Sequence, residues 1–293
     1  MKPSTRIHQL LSRHGTLLFP GVYDALGAKI AEQVGFEVVF ISGYSVAASQ
    51  LAMPDFGYLT QTEMIHSVRH ICKSVTVPVI VDADTGYGNA LNVIQTVEEL
   101  IDAGAGGLFL EDQEWPKRCG HMRGKRVIPA EEHVQKIRAA VDARRDRDLF
   151  IVARTDARQV SGLDEAIRRC RLYKQAGADA LFIEAPVSVE ELRTMAKELE
   201  PPLVANMLEG GVTPLLTKEE LEGLGIRLIV CPLTALYASA KAMTDILTHL
   251  RTTTTTRDRL DRLLTFEQFH RIIDLPAYYD LEKRYEVPGE PTG

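Results

Sequence analysis

One short pattern recurs along the chain: a helical stretch, then a glycine, then an apolar run. It occurs at residues 34–41, 103–111, 176–184 and 224–230. Glycine is well suited to the position after a helix, where φ is often positive. Continuous apolar strands are typical of parallel sheets that helices cover on both faces. The pattern therefore predicts helices that alternate with buried parallel strands.

Further apolar runs fit strands between these repeats: Leu17–Pro20, Val77–Val81, Phe150–Ala153 and Leu203–Asn206. Several helices have recognisable starts: Thr60, Ser188 and Thr217 each precede a glutamate by three positions, as in a capping box, and Pro129 suits a first helical position. Eight strands that alternate with helices over about 250 residues favour an α/β fold, a single (β/α)8 TIM barrel. An open, doubly wound sheet is the alternative.

The barrel is predicted to occupy residues 1–250, and a C-terminal helical extension residues 251–293. The run Thr252–Thr256 is uncharged and lies between two arginines, which indicates a connector. Beyond it, large apolar residues recur at roughly helical spacing between positions 260 and 273. We expect this surplus apolar face to pack on the barrel or on a neighbouring subunit.

Composition argues against several classes of partner. The 293 residues carry a formal net charge of −6, which favours neither nucleic acid nor an anionic membrane. No apolar run approaches the roughly 18 residues of a membrane span, and the N-terminal region lacks the apolar stretch of a signal sequence. The four cysteines have no zinc-like spacing. We therefore expect free thiols in a reducing compartment, and a cytoplasmic protein.

Polar side chains follow each predicted strand from the second to the seventh, and in TIM barrels the active site lies at these strand ends. Asp82 and Asp84 are two positions apart on a strand, so we expect both to point to one side. With Glu111 from the next strand they form an oxygen-rich site suited to Mg²⁺ or Mn²⁺. The alternative is that the two aspartates merely cap the following turn.

The segment from Glu111 to Ile128, which we name the 111–128 loop, is long for a connection between a strand and a helix. Long loops in compact domains are often functional lids. This loop is rich in cations, which favour the thiolate form of Cys119. Gly120 and Gly124 would allow it to change conformation. The alternative is a solvated basic loop with an incidental cysteine.

Arg154 and Glu184 each allow more than one role. Arg154 could hold a substrate carboxylate through both arms of its guanidinium group, or it could pair with Glu184 or Asp156. Glu184 could act as a general base, could contact a residue that binds the metal without binding the metal itself, or could serve only as the partner of Arg154. The residues alone leave these alternatives open.

Taken together, these motifs resemble the isocitrate lyase/phosphoenolpyruvate mutase superfamily. The matching segments are Ser42-Gly43-Tyr44, Asp55, residues 82–89, Glu111-Asp112-Gln113, Lys117-Arg118-Cys119-Gly120-His121, residues 153–156 and residues 206–211. They run in the family's order and cover roughly residues 15–285. Within the family, residues 115–117 and 121–125 are most similar to the petal death protein-like 2-alkylmalate and 2,3-dimethylmalate lyases.

The resemblance implies a homotetramer, a dimer of dimers in which paired subunits exchange the last barrel helix. It implies a Mg²⁺ ion bound mostly through water, with Asp82 as the direct ligand and Asp84 and Glu111 acting largely through water. It also implies a proton donor. In the lyases of this family, the cysteine that corresponds to Cys119 lies on a gating loop and protonates the carbanion-like product.

The same resemblance implies the substrate contacts. Ser42, Gly43 and Tyr44 would hold the carboxylate of a 2-oxo or 2-hydroxy acid, helped by Arg154. Asp55 would lie near the metal and the reacting carbon. The remaining residues expected in the site are Lys117, Gly120, His121, Glu184 and Asn206. Of these, Lys117 and His121 would tune the thiol.

Position 208 departs from the pattern of isocitrate and methylisocitrate lyases, which usually carry Ser or Thr there, because this chain has Leu208. A leucine cannot donate a hydrogen bond to a third carboxylate, but it packs well against an alkyl group. We therefore predict a small-molecule carboxylate substrate of the 2-alkylmalate, 2,3-dimethylmalate or methylisocitrate type. Cleavage would give a 2-oxo acid and a second carboxylic acid, and hydrolysis of oxaloacetate is also accessible.

Three other functions remain open. A carboxyphosphonoenolpyruvate phosphonomutase-like enzyme would share most of these motifs, although Cys119 argues for a lyase. A non-catalytic barrel would bind substrate analogues without turnover. A Schiff-base aldolase would use Lys117, but we expect this lysine on a loop among polar neighbours, where nothing desolvates and activates its amine.

Overall fold

The computed structural model describes residues 5–286, in which eight parallel strands close into a barrel in chain order. The strands are β1 Leu17–Val22, β2 Val39–Ile41, β3 Val79–Asp82, β4 Gly107–Glu111, β5 Phe150–Thr155, β6 Ala180–Ile183, β7 Leu203–Asn206 and β8 Leu228–Cys231. β8 pairs with β1, with Leu17 opposite Leu228, and this pairing closes the sheet. The predicted TIM barrel is confirmed, and the alternative of an open sheet is wrong.

Helices alternate with the strands and continue beyond the last of them. They are α1 Arg6–His14, α2 Ala25–Gln33, α3 Gly43–Leu51, α4 Gln61–Ser74, α5 Ala90–Asp102, α6 Ala130–Arg144, α7 Ala157–Ser161, α8 Leu163–Gln175, α9 Val189–Glu198, α10 Lys218–Gly223, α11 Thr234–Thr253, α12 Phe266–Ile272 and α13 Leu275–Arg284, with a 3₁₀ helix at Arg257–Arg262. Between residues 5 and 286, no helix has the length and apolar character needed to cross a membrane. The four cysteines are free thiols.

The predicted helix starts are confirmed at Thr60 and Thr217, which form reciprocal capping boxes. Ser188 accepts a hydrogen bond from the backbone of Glu191 at the start of α9. Its box is incomplete because the Glu191 carboxylate pairs with an arginine instead. Pro129 stands one residue before the first helical position of α6, at the N-cap, so its predicted place is wrong by one residue.

Aromatic side chains fill the centre of the barrel. The ring of Phe109 lies 4.9 Å from that of Phe40 and 5.5 Å from that of Phe182, measured between centroids. Ile7 of α1 belongs to the same buried cluster, together with the strand start Leu17. A second layer of buried aliphatic residues packs between the strands and the helices. The barrel is therefore a solid core, and a ligand site must lie at an end of it.

The chain forms two compact units, Met1–Leu236 and Tyr237–Gly293. In the second unit, α11 continues to Thr253, so the predicted connector is wrong in its first two residues. The residue after the helix, Thr254, has a φ of 58°. The C-terminal helical extension is thus present, whereas its predicted boundary at residue 250 stays a prediction.

Candidate active site

A cavity lies at the C-terminal ends of the strands, where the sequence predicts the site. It is lined by Phe40, Ser42, Tyr44, Asp55, Asp82, Phe109, Lys117, Cys119, Gly120, His121, Arg154, Phe182, Glu184, Asn206, Leu208, Val230, Pro232 and Leu233. A volume of about 40 Å³ is open to the centres of water molecules, which is room for about three waters. Gly43, Asp84 and Glu111, the other predicted site residues, each adjoin a residue of this lining.

Two acidic side chains meet at the end of β3, although not for the reason predicted. Asp82 is the last residue of β3, but Asp84 lies past the strand and has a φ of 48°. The prediction that both stand on one strand is therefore wrong, because a left-handed turn brings the two carboxylates together. Gly43 packs against them, since a Cβ there would lie 3.2 Å from Asp82 Oδ2 and 3.5 Å from Asp84 Oδ1.

The acidic cluster of Asp82, Asp84 and Glu111 carries more negative charge than its neighbours neutralise. Burial raises the pKa of Asp84 to about 7, with Lys117 opposing this shift and Asp82 adding to it. Burial also raises the pKa of Glu111 well above its usual range, against the effect of Arg154. Among the described residues, buried Glu111 Oε1 has no hydrogen-bond partner. A divalent cation among these oxygens would stabilise the charged carboxylates.

The same cluster limits how such a cation could be held. Between residues 5 and 286, no three acidic, histidine or cysteine side chains converge on one ion position. Mg²⁺ usually keeps several of its waters, so an ion bound directly by one carboxylate and through water by the others would not require such convergence. Asp82 lines the cavity, whereas Asp84 and Glu111 stand behind the lining. The residues thus fit the magnesium site that the resemblance implies.

Lys117 reaches into this acidic cluster from the 111–128 loop. Its Nζ lies 2.9 Å from Asp55 Oδ1 and 2.6 Å from Asp84 Oδ1, and the residue is only 3% exposed. The expectation that Lys117 stays among polar neighbours without desolvation is therefore wrong. Burial lowers its pKa, but Asp84 and Asp55 outweigh burial and leave the pKa well above its usual range. The amine is thus an ammonium ion, which is unsuited to Schiff-base chemistry.

Cys119 is held as a thiol. Burial is the largest cause that raises its pKa to about 11; a hydrogen bond from the His121 backbone lowers this pKa, and the carboxylates of Asp55 and Glu184 raise it. The loop cation Lys117 lowers this pKa, as expected, but burial outweighs it. Lys117 is paired as described, and Lys125 Nζ lies 2.7 Å from Asp156 Oδ1. At neutral pH, Cys119 is therefore protonated and has a proton that it can donate.

Arg154 makes ion pairs with three carboxylates at once. Its Nε lies 2.9 Å from Asp156 Oδ2, and its Nη2 lies 3.2 Å from Glu111 Oε2 and 3.3 Å from Glu184 Oε2. Both predicted pairings, with Glu184 and with Asp156, are present. The guanidinium group also lies 5.4 Å from the centre of the Phe182 ring and lines the cavity. The ion pairs therefore hold in place a cation that faces the cavity.

Glu184 is a carboxylate held from several sides. Burial raises its pKa, but Arg154 and His121 lower it by more, so that the pKa lies below its usual range. Asn206 Nδ2 lies 3.3 Å from each carboxylate oxygen. Such a group is a weak base. Its contacts indicate that it orients Arg154 and His121.

His121 joins the tip of the 111–128 loop to two other segments. Its Nδ1 accepts a hydrogen bond from the backbone N–H of Val212 at 3.1 Å, so this nitrogen carries no proton. Its Nε2 lies 3.1 Å from Glu184 Oε1 and must therefore be the donor. Gly120 lies against the Glu184 side chain, since a Cβ at Gly120 would lie 2.4 Å from Glu184 Cγ. The loop is thus closed over the cavity.

Besides Phe40, Phe109, Phe182 and Val230, which line the cavity, sequence reasoning missed two further parts of the site. Pro232 and Leu233 form a wall of the cavity directly after β8, and extending the strand-end rule to the eighth strand would have found them. The buried pair of Lys125 and Asp156 was also missed. No spacing signal separates Lys125 from its exposed neighbour Arg126, because the partner is distant in sequence.

Comparison with known proteins gives close relatives over nearly the whole chain. The family model described as Phosphoenolpyruvate phosphomutase matches residues 7–251. The chain is 54% identical over 285 residues to the chloroplastic carboxyvinyl-carboxyphosphonate phosphorylmutase of Arabidopsis thaliana, covering 96% of this chain and 84% of the relative. It is 51% identical over 283 residues to the petal death protein of Dianthus caryophyllus (96% and 89% covered). It is 44% identical over 285 residues to the 2,3-dimethylmalate lyase of Eubacterium barkeri (97% and 99%).

Solved structures of related enzymes also match the fold of this chain over nearly its whole length. A 2,3-dimethylmalate lyase matches with a TM-score of 0.90 at 33% identity, covering 98% of this chain and 97% of the other. Oxaloacetate acetylhydrolase in complex with 3,3-difluorooxalacetate gives 0.91 at 32% (99% and 100%). Phosphonopyruvate hydrolase with oxalate and Mg²⁺ gives 0.84 at 29% (92% and 94%). The protein belongs to the isocitrate lyase/phosphoenolpyruvate mutase superfamily. It is an enzyme of that superfamily, whose members act as lyases and mutases.

Proposed function

We propose that this enzyme is a Mg²⁺-dependent lyase that breaks a carbon–carbon bond in a 2-hydroxy dicarboxylate. The products would be a 2-oxo acid and a second carboxylic acid. The observation that carries the proposal is Cys119, a half-buried thiol with a pKa of about 11 that lines a cavity beside an acidic cluster. A thiol in this position can protonate a carbanion, and it remains protonated at the pH of a cell.

The metal and the substrate would be held by different sides of the site. Asp82 would bind the ion directly, with Asp84 and Glu111 acting through water. When bound, Mg²⁺ would stabilise negative charge on the oxygens of the 2-oxo acid half. Ser42, Gly43 and Tyr44 at the start of α3 would bind the substrate carboxylate, and Arg154 would supply a positive charge to it. Mn²⁺ could serve in place of Mg²⁺ because both prefer oxygen ligands.

The reaction needs one proton removed and one supplied. We assign the removal to Asp55, which lines the cavity and whose side-chain partner among residues 5–286 is the ammonium of Lys117. As the substrate hydroxyl loses its proton, the C2–C3 bond breaks and its electron pair remains on C3. Cys119 then donates its proton to C3. Lys117, Gly120 and the closed loop would keep water away from this carbon.

The far side of the cavity suits an alkyl group. Leu208, Pro232 and Leu233 follow β7 and β8, and in an eight-stranded barrel these strands stand opposite β3 and β4, which carry the acidic cluster. A carboxylate buried against this wall would lose its hydration without gaining a partner. The wall therefore supports 2-alkylmalate or 2,3-dimethylmalate more than a tricarboxylate such as methylisocitrate.

A panel of 2-hydroxy dicarboxylates with detection of 2-oxo acids tests this function. We expect Mg²⁺-dependent turnover of an alkylmalate that EDTA abolishes and Mg²⁺ restores. Cys119→Ser should lower kcat by about 10²-fold or more, because the alcohol is a much weaker acid. Cys231→Ser is the matched control, since Cys231 lies outside the cavity lining. No turnover of alkylmalates, methylisocitrate or oxaloacetate would contradict the proposal.

Two neighbouring chemistries deserve direct assays. Oxaloacetate hydrolysis is supported by the similarity to oxaloacetate acetylhydrolase, and acetate and oxalate formation from oxaloacetate would show it. Phosphonomutase chemistry is the alternative, because the plant relative at 54% identity is named a phosphorylmutase. Phosphorus NMR that detects a new P–C bond would favour it. The retained proton donor Cys119 supports the lyase.

We further propose a homotetramer in which paired subunits exchange their last barrel helix. The observation that supports it is the second compact unit, because no described residue of α11, α12 or α13 is buried. Large apolar side chains there are open to solvent, including Leu247 at 58% and Phe266 at 81% exposure. A second copy of the chain would cover them. Light scattering coupled to size-exclusion chromatography tests this state, and cell fractionation tests the proposed cytoplasmic location.

A further inference from the structure

The 111–128 loop carries a buried cation that the proposed chemistry does not use. The Lys125 side chain is fully buried, and its Nζ lies 2.7 Å from Asp156 Oδ1. The same ammonium group donates a hydrogen bond to the backbone carbonyl of Gly120, at the tip of the loop. Lys125 therefore links the base of the loop, the loop tip and the end of β5.

The base of the loop is fixed independently of this lysine. Gln113 forms an antiparallel bridge with Val127, and the backbone N–H of Glu114 donates to the carbonyl of Arg126 at 2.9 Å. Lys125 thus projects from an anchored stem. Its contact with Gly120 is the part that can be made or broken as the tip moves.

The partner of Lys125 is also the partner of Arg154. Asp156 Oδ1 accepts from Arg154 Nη2 at 3.2 Å, and Asp156 Oδ2 accepts from Arg154 Nε at 2.9 Å. Asp156 is itself held in place, because its backbone N–H donates to Asp112 Oδ1 at 2.9 Å. The buried carboxylate of Asp156 therefore orients the guanidinium group of Arg154 and also binds Lys125, which in turn donates a hydrogen bond to the loop tip.

We propose that Lys125 is a positioning residue that holds the 111–128 loop closed by linking the Gly120 carbonyl to Asp156. The expected loss of activity without Lys125 rests on the proposed lyase function, whereas the expected opening of the loop does not. A charge-assisted hydrogen bond in a water-free site is strong. Loss of Lys125 would remove the hydrogen bond to the Gly120 carbonyl and leave Asp156 with Arg154 as its cation. The tip of the loop would then be linked less firmly to the end of β5, so the open form of the loop would be more populated.

The test is the rate at which iodoacetamide alkylates Cys119, followed by mass spectrometry of its peptide in the ligand-free protein. Cys119 is half-buried while the loop is closed, whereas Cys170 on α8 is fully buried against the barrel and reports global unfolding. We expect Lys125→Met to raise the Cys119 rate by about tenfold or more, since opening both exposes the thiol and eases its ionisation. The Cys170 rate should stay unchanged.

Arg126→Met is the matched control. Arg126 is the next residue in sequence, but its side chain is exposed and, within residues 5–286, forms its ion pair with Glu114 at the surface. This variant should alkylate at the wild-type rate. Asp156→Asn, which preserves volume and removes the charge, should behave as Lys125→Met does.

Each outcome decides the proposal. A wild-type Cys119 rate in folded Lys125→Met or in Asp156→Asn would overturn it. Equal acceleration of Cys119 and Cys170 would also overturn it, because Lys125 would then support the barrel and not the loop. If an alkylmalate is cleaved, Lys125→Met should lower kcat/KM by about tenfold or more while Arg126→Met keeps it. If no substrate is cleaved, the labelling result stands alone and only the lyase proposal fails.

Discussion

Gly120→Ala measures how closely the 111–128 loop must approach the site. An alanine Cβ would lie 2.4 Å from Glu184 Cγ and 2.5 Å from Arg154 Nη2. Comfortable contact between heavy atoms begins near roughly 3.5 Å, so something must move by about 1 Å. Arg154 and Glu184 are each held by several ion pairs and hydrogen bonds, so we expect the loop to lift. A misplacement of about 1 Å can cost on the order of 100-fold in rate, equivalent to about 2.7 kcal/mol.

The assay is kcat/KM for the best alkylmalate, measured by release of the 2-oxo acid. We expect a loss of about 100-fold in Gly120→Ala and an unchanged thermal midpoint, because the clash is on a loop and not in the core. Gly223→Ala is the matched control, since a Cβ at Gly223 meets nothing within 4 Å. A Gly120→Ala enzyme within about threefold of wild type would refute the claim that the closed loop is the catalytic state.

Two further predictions concern the proton donor and the apolar wall. Because burial raises the pKa of Cys119 to about 11, the active thiol form is retained below that pH and lost only above it. The profile of kcat/KM should therefore show no descending limb from this thiol between about pH 7 and about pH 10, and a limb that disappears in Cys119→Ser would contradict this. Leu208→Ser removes the contacts of two to three carbons, about 2 kcal/mol, so kcat/KM for an alkylmalate should fall about 30-fold while that for malate changes little. An unaltered preference between the two substrates would show that Leu208 does not face the alkyl group.

The barrel could be predicted from the sequence because its signals are local. A glycine that ends a helix and the apolar run after it lie within a few residues of each other, as at 176–184. The rule that sites form at strand ends then placed most of the polar residues correctly. Asp82 and Asp84 were also paired correctly, but through strand alternation, whereas the cause is the positive φ of Asp84.

The electrostatic state of the loop could not be predicted in the same way. Lys117 is neutralised by Asp55, which lies 62 positions away in sequence, and Lys125 by Asp156, which lies 31 positions away. The cations are neighbours in the sequence, whereas the carboxylates that pair with them are distant in sequence and come close only in the folded protein. The sequence therefore left the protonation state of Cys119 open, whereas burial in the folded protein raises its pKa and keeps it protonated.

The two hydrogen bonds of His121 have a consequence for how substrates are selected. The imidazole bridges Glu184 and the backbone of Val212, and Val212 follows Leu208 in the segment after β7. The loop can complete both bonds only when a ligand leaves that segment in place. A substrate whose alkyl group displaces Leu208 would still bind through its carboxylates, but it would prevent the imidazole from docking. Substrates with an oversized alkyl group should therefore bind tightly but react slowly. As the alkyl chain of the substrate is lengthened, kcat should fall before the binding affinity does.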